Sequence, residues 1–261
     1  MKKLVLLSVL IALVIFGCKK SSTTEPTIQC KLLSAATTTN GVTVTTFYTF
    51  DNSGKLIAVK QLSGTSDTAV IRQYAYSGND FSYSSWGDNA GNSDTIYYTY
   101  DASKRIIHMV KKNHNTGVTL TTETTFTYNS SNQVTVSVAK STVDFINYTI
   151  DSTLYQYSGS NISNFSQYTK SGSSSWALYK IKLAYDGQRN YRKTTGEPQV
   201  SYPYWSAANI TQYINPDSTN AYMTYNYTDY TTSSYPQKFT VTFRPDQPNT
   251  VISGMLNYKC Q

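Results

Sequence analysis

Charged residues are scarce in this chain of 261 residues, at 14 % of the total, and histidine occurs only twice. The sequence has no Gly-x-Ser-x-Gly nucleophile motif, no phosphate-binding loop and no dinucleotide fingerprint. His108 and His114 belong to no HExxH motif and to no spaced Cys/His set, so no metal site is predicted. We therefore expect a protein that is not an enzyme and that carries no cofactor.

A concentrated basic patch is also missing. Lysine and arginine exceed aspartate and glutamate, giving a formal net charge of +7, but the basic residues are spread along the chain. Proteins that bind nucleic acids concentrate this charge on one face or carry a recognition motif. Nucleic acid is therefore excluded as an expected partner.

The apolar run near the start is too short to cross a bilayer. Lys2 and Lys3 precede a mainly apolar run of 13 residues, Leu4–Phe16, which is the layout of a secretory signal. The run ends Ile15-Phe16-Gly17-Cys18, which resembles the lipobox of bacterial lipoproteins. The resemblance implies that residues 1–17 are removed and that Cys18 carries the membrane lipid; an ordinary signal with a coincidental cysteine is the alternative.

The residues after Cys18 are polar and without periodicity, which predicts a flexible tether over residues 18–28. Fully extended, this tether would reach roughly 30 Å from the lipid. The expected location is the cell envelope, lipid-anchored at the outer membrane. Lys19 and Lys20 stand where many surface-exposed lipoproteins of Bacteroidetes carry acidic residues, so the face of the membrane stays open.

Two cysteines remain, Cys30 and Cys260, one near each end of the region expected to fold. An even pair in an oxidising compartment favours a disulfide. Two separate buried thiols are the alternative.

A repeated unit runs through the chain: an aromatic residue, a small or polar residue, a second aromatic, then a turn. The second aromatics lie 24 to 29 residues apart, and they are Phe50, Tyr76, Tyr100, Tyr128, Tyr157 and Tyr185. A period of this size indicates an array built from one supersecondary unit.

Each unit has the alternation of a β-strand with one buried face. In the unit 95–100, Ile96, Tyr98 and Tyr100 fall on one side, and Thr95, Tyr97 and Thr99 fall on the other. Turns such as Asp51-Asn52-Ser53-Gly54 supply a side-chain acceptor first and a glycine last. The units predict an all-β antiparallel hairpin meander of about 12–15 strands, curled into a half-pipe or a barrel-like shell.

The repeat pattern is interrupted over residues about 187–222. We interpret this stretch as one short, partly helical insertion in a single β-meander domain that covers residues 29–261. Ser206 is a candidate cap for a helical turn over Ala207–Tyr213.

The aromatic–x–aromatic–Asp/Asn–turn–aliphatic unit resembles the YD-type, Rhs-like repeat. The whole chain is similar to a DUF4595-like group of uncharacterised Bacteroidetes lipoproteins, whose members carry a Tyr-Asp…Asn-Pro element and then a Ser…Asn-aliphatic segment. Here the element reads Tyr185-Asp186…Asn190-Tyr191, with tyrosine in place of proline, followed by Ser206…Asn209-Ile210. The resemblance implies a fold and a compartment but no activity.

Aromatic side chains near loops are the candidate ligand-binding residues, because exposed rings on a β scaffold are common platforms for sugars. They are Trp86, Trp176, Tyr204 and Trp205. The alternative is that these rings pack the rim of the sheet. We expect a non-catalytic, membrane-anchored envelope lipoprotein that acts as a binding or structural scaffold for a glycan or an envelope protein. The second hypothesis is a carbohydrate-binding lipoprotein of a glycan-uptake system.

Overall fold

The computed structural model describes residues 30–64, 70–87, 92–115, 118–143, 147–216, 221–243 and 251–260. Signal, tether and Cys18 lie outside this part of the chain. The described residues contain sixteen β-strands, each antiparallel to its neighbours in sequence, and β1 pairs with β16 to close the sheet into a barrel. The strands are β1 Cys30–Thr39, β2 Val42–Phe50, β3 Leu56–Ser63, β4 Val70–Ser77, β5 Asp80–Gly87, β6 Ser93–Tyr100, β7 Ile106–Asn115, β8 Val118–Tyr128, β9 Val134–Val143, β10 Asn147–Ser158, β11 Asn161–Ser171, β12 Ala177–Arg189, β13 Ala208–Ile214, β14 Ala221–Tyr230, β15 Pro236–Phe243 and β16 Val251–Cys260.

The all-β antiparallel meander and its shell-like closure are confirmed. The predicted pairing of Cys30 with Cys260 is present as a disulfide, between residues that face each other in the β1–β16 register. Residue 30 begins β1 and residue 260 ends β16, so both lie at the same end of the barrel. In an antiparallel meander, the turns that follow the even-numbered strands also lie at this end. We call it the turn end.

The turns form as their sequences predict. Asp51 Oδ1 accepts from the backbone N–H of Lys55 at 2.8 Å, and Asp101 Oδ1 accepts from that of Arg105 at 2.9 Å. The pKa of Asp51 is lowered first by the hydrogen bond from the Ser53 hydroxyl and then by that from Lys55, and the pKa of Asp101 is lowered first by the hydrogen bond from the Arg105 N–H. The last turn position has positive φ, at +84° for Gly54 and +64° for Lys104.

A β-bulge accompanies the second aromatic of every predicted unit. The register shifts immediately before Phe50, Tyr76, Tyr100, Tyr128, Tyr157 and Tyr185. The extra residue lies on the following strand, as with Ile57 beside Leu56 and Ile107 beside Ile106. Bulges increase local twist and redirect side chains. This explains why two aliphatic residues follow these turns although only the first packs inside the barrel.

Tyrosines fasten hairpins to the ones before them. In six units the phenol donates to a backbone carbonyl 17 to 23 residues earlier, at 2.6 to 3.2 Å. The pairs are Tyr76 to Leu56, Tyr128 to Ile106, Tyr157 to Val134, Tyr185 to Ile162, Tyr227 to Ile210 and Tyr258 to Pro236. We call these bonds the tyrosine clamps; the last two belong to units that the repeat pattern did not reveal.

The segment that leaves the meander is shorter than predicted, residues 190–207 between β12 and β13, and we call it the insertion. It contains a 3₁₀ turn, Tyr191–Thr194, and one α-helical turn, α1, Tyr202–Trp205. The predicted helical turn over Ala207–Tyr213 is wrong, because Ala208–Ile214 is strand β13. The Ser206 hydroxyl does not cap a helix; it accepts from the Ile162 N–H at 3.3 Å and contacts the Tyr185 hydroxyl at 2.8 Å.

Candidate functional site

The insertion folds into the lumen at the turn end. A Cβ on Gly196 would lie 3.0 Å from the Phe50 ring and 3.3 Å from Leu56. Tyr191 stacks on Phe239 with ring centroids 6.3 Å apart. Because Phe50 and Phe239 lie on separate strands of the wall, β2 and β15, the insertion is surrounded by the barrel.

The Tyr185…Ile210 element quoted above forms the base of the insertion. Asn209, 1 % exposed, accepts from the Tyr191 N–H at 3.0 Å and donates to Asp186 at 3.0 Å. Asn190 donates to the Ser206 carbonyl at 3.0 Å. These contacts join the two ends of the insertion to β12 and β13, which gives the element a structural role.

Glu197 links the insertion to the wall. Its two carboxylate oxygens accept from Tyr74 at 3.0 Å and from Tyr204 at 2.9 Å. Burial first, and then the nearby Glu197 charge, raise the pKa of both phenols, so both remain protonated and donate. The predicted ligand residue Tyr204 is therefore placed as an internal contact.

Arg192 lies among phenols on the other side of the insertion, with its guanidinium 5.2 Å from the Tyr191 ring centroid. Burial alone would lower the pKa of Arg192, but Tyr191 and Tyr227 raise it above its ordinary value. The guanidinium therefore stays positively charged inside the half of the barrel that the insertion occupies.

A pocket of about 570 Å³ opens at the turn end between the insertion and the turns of the wall. We call it the rim pocket. Its walls combine aromatic rings with amide and basic side chains, including Tyr100, Tyr128, Tyr157, Trp205, Gln133, Gln199 and Lys193. The Trp205 indole donates to the Gln199 carbonyl at 2.8 Å and meets Tyr155 edge-on at 5.0 Å.

The other two predicted tryptophans lie apart from the rim pocket. Trp86 lines a separate cavity of about 390 Å³ with Arg72, Asp94 and Lys111. Trp176 is 50 % exposed, with the Lys170 ammonium 6.0 Å from its ring. The structure thus does not assemble the four candidates into one site: Tyr204 and Trp205 are neighbours in the insertion, whereas Trp86 and Trp176 lie elsewhere.

Sequence reasoning missed Arg72, Asp94 and Lys111 because cross-strand register brings them together. In the described part of the chain, no group of three or more His, Cys, Asp or Glu side chains could hold a metal ion. No helix among the described residues is long and apolar enough to cross a bilayer.

No protein-family model and no curated protein matches this chain. Several solved structures share its fold, and two of them are porin-like proteins. A porin-like protein from Bacteroides uniformis is 13 % identical with a TM-score of 0.55, covering 88 % of this chain and 98 % of that one. A porin-like protein from Bacteroides vulgatus is 12 % identical with the same TM-score, covering 88 % and 99 %. At this identity the likeness shows a common barrel fold, and the DUF4595-like resemblance stays a prediction.

Proposed function

We propose that this protein is a non-catalytic β-barrel of the bacterial cell envelope, held to the outer membrane through lipid on Cys18, that stands in water as a binding scaffold. The observation that carries the proposal is the mixed polarity of the outer face. The buried rings and aliphatic side chains of the wall point inward, whereas the outer face interleaves lysines and threonines with exposed apolar side chains.

Lysines lie on the outer face within the strands rather than only at their ends. Lys112, Lys140, Lys180 and Lys182 are exposed, and Lys140 faces Glu123 across the β8–β9 register. A barrel wall in lipid needs an outward apolar band about 25 Å tall, and a charge near the bilayer midplane costs about 2–4 kcal/mol. Exposed apolar residues such as Leu154 and Leu178 are interleaved with these charges. Because the charges interrupt the apolar surface, we assign membrane attachment to the lipid on Cys18.

Cys30, at the start of β1, lies at the turn end. With the lipid on Cys18, as proposed, the short segment before Cys30 keeps the filled half of the lumen nearer the membrane than the opposite end. A partner can then bind at the end of the barrel away from the membrane, or along the wall, without a clash with the membrane.

Detergent-phase partitioning tests this proposal. The full chain is expected in the detergent phase of Triton X-114. A matched variant, with residues 1–18 replaced by a cleavable leader that carries no lipid, is expected in the aqueous phase as a folded barrel. Recovery of that variant in the detergent phase or in the membrane pellet would contradict a wall that faces water.

The second candidate function is carbohydrate binding in a glycan-uptake system, and the composition of the rim pocket favours it. Tryptophan and tyrosine rings beside amide side chains are suited to sugar rings and hydroxyls. A glycan array should then show binding that Trp205→Ala abolishes and that Trp176→Ala, a change at an exposed tryptophan elsewhere, leaves intact. Equal binding by the two variants would remove the rim pocket as the site.

A further inference from the structure

Four side chains form a continuous row across neighbouring strands on the inner face of the barrel. Arg72 on β4 faces Trp86 on β5, Trp86 faces Asp94 on β6, and Asp94 faces Asn113 on β7. Directly opposed residues have Cβ atoms about 4.5–5.5 Å apart, so the four side chains share one strip of wall. We call it the lumen row.

The row carries buried acceptors without donors. Asp94 is 6 % exposed; its Oδ2 accepts from Arg72 Nη2 at 2.9 Å and lies 3.3 Å from Lys111 Nζ. Among the described residues, its Oδ1 has no hydrogen-bond partner, and neither does the buried Oδ1 of Asn113. Buried polar atoms are nearly always hydrogen-bonded, so these two oxygens, on residues that face each other in the β6–β7 register, call for a donor from outside the described residues.

A tryptophan stands beside these acceptors. Trp86 is partly buried, and within the described ranges its indole has neither a ring partner nor a hydrogen bond. It lines the same cavity of about 390 Å³, which lies within the range of about 300–1,000 Å³ usual for small-molecule sites. The cavity therefore offers an apolar ring face with its indole N–H and two acceptor oxygens, with the cationic groups of Arg72 and Lys111 beside them.

We propose that the lumen row binds a neutral, polyhydroxylated ring, that is, one sugar unit of a glycan. An anionic group is disfavoured because the two unpaired atoms are both acceptors, one of them on a carboxylate. A cationic group is disfavoured because Arg72 and Lys111 already surround Asp94. A hydroxyl donates to Asp94 or Asn113, and a sugar C–H face stacks on Trp86.

The lumen row is independent of the rim pocket. It lies towards the end of the barrel opposite the insertion, and no residue lines both cavities. Binding in the row therefore requires neither the rim pocket nor the insertion to change.

Saturation-transfer NMR on the full chain in detergent micelles tests the proposal, with the methyl glycosides of glucose, galactose, mannose and N-acetylglucosamine as probes. We expect at least one probe to receive saturation at its ring C–H protons. Trp86→Ala and Asn113→Ala should each weaken that binding by about tenfold or more, the size of one lost stacking or buried hydrogen-bond contact. Trp176→Ala is the matched control and should leave it unchanged.

Circular dichroism of each variant establishes that the barrel is still folded. Two results would overturn the proposal: no saturation of any probe by the wild-type chain, or binding that survives Trp86→Ala. If binding instead disappears on Trp205→Ala, the sugar occupies the rim pocket, and the lumen row is a site for water alone.

Discussion

The same sixteen strands form both halves of this barrel, but the side chains that point inward differ between the halves. At the turn end, inward rings, tyrosine clamps and the insertion fill the lumen. Towards the other end, inward positions carry small or polar side chains such as Thr46, Ser141 and Thr149, together with the charged cluster around Asp94. Sixteen-stranded porins enclose an aqueous channel. Here one half supplies the packing that fixes closure, which leaves the other half free to be polar.

The largest expected effect concerns the covalent closure at the turn end. Replacing both Cys30 and Cys260 by serine removes a cross-link between residues 230 apart in sequence. The free energy of unfolding should fall by about 2–5 kcal/mol, measured by urea denaturation. A loss below about 1 kcal/mol would mean that the β1–β16 pairing and the packed half close the barrel without help.

A pair of asparagine substitutions contrasts the halves directly. Asn209→Ala leaves the buried Tyr191 N–H and one Asp186 contact without a partner and should cost about 3 kcal/mol. Asn113→Ala removes an amide oxygen that has no donor in the described structure and should cost about 0.5 kcal/mol or less. Thermal unfolding of both variants measures the difference, and equal losses would contradict the contrast.

The tyrosine clamps should each contribute a moderate amount. Tyr157→Phe keeps the ring but removes the bond to the Val134 carbonyl, lowering the free energy of unfolding by about 1 kcal/mol. Tyr97→Phe is the control, since this ring is 48 % exposed on the outer face, and it should change stability very little. Equal changes in the free energy of unfolding of the two variants would show that the hydrogen bond of the Tyr157 phenol does not stabilise the barrel.

The smallest effect comes from turn geometry. Lys104 adopts a φ of +64° at the position where another unit has Gly54. Lys104→Gly should relieve left-handed strain of about 1 kcal/mol, partly offset by the lost surface ion pair with Asp80. A net gain of about 0.5 kcal/mol is expected by chemical denaturation. A net loss would indicate that the ion pair outweighs the strain.

The sequence was sufficient for features set by local pattern. Alternating rings predicted the buried face, Asp51 and Asp101 predicted the turns, and the cysteine count predicted the Cys30–Cys260 bond. Each depends on residues a few positions apart or on a simple count.

Features set by long-range contacts were left open or missed. Whether the sheet closes depends on pairing between β1 and β16, which no local pattern encodes. Each bulge shifts the register between strands, so the alignment of Arg72, Trp86, Asp94 and Asn113 could not be read from periodicity. The helical turn assigned after Ser206 was wrong because that hydroxyl is held by Ile162 and Tyr185, and β-branched Ile210 and Thr211 favour a strand.

The bond between Cys30 and Cys260 turns the chain from residue 30 to residue 260 into a covalent circle that follows the wall once around. A protease that cuts a single connection between strands would therefore open the circle without producing two separate pieces. The nicked molecule should migrate as one species until a reductant is added and only then divide into two fragments. A barrel closed in this way would stay in one piece after a cut at any one loop.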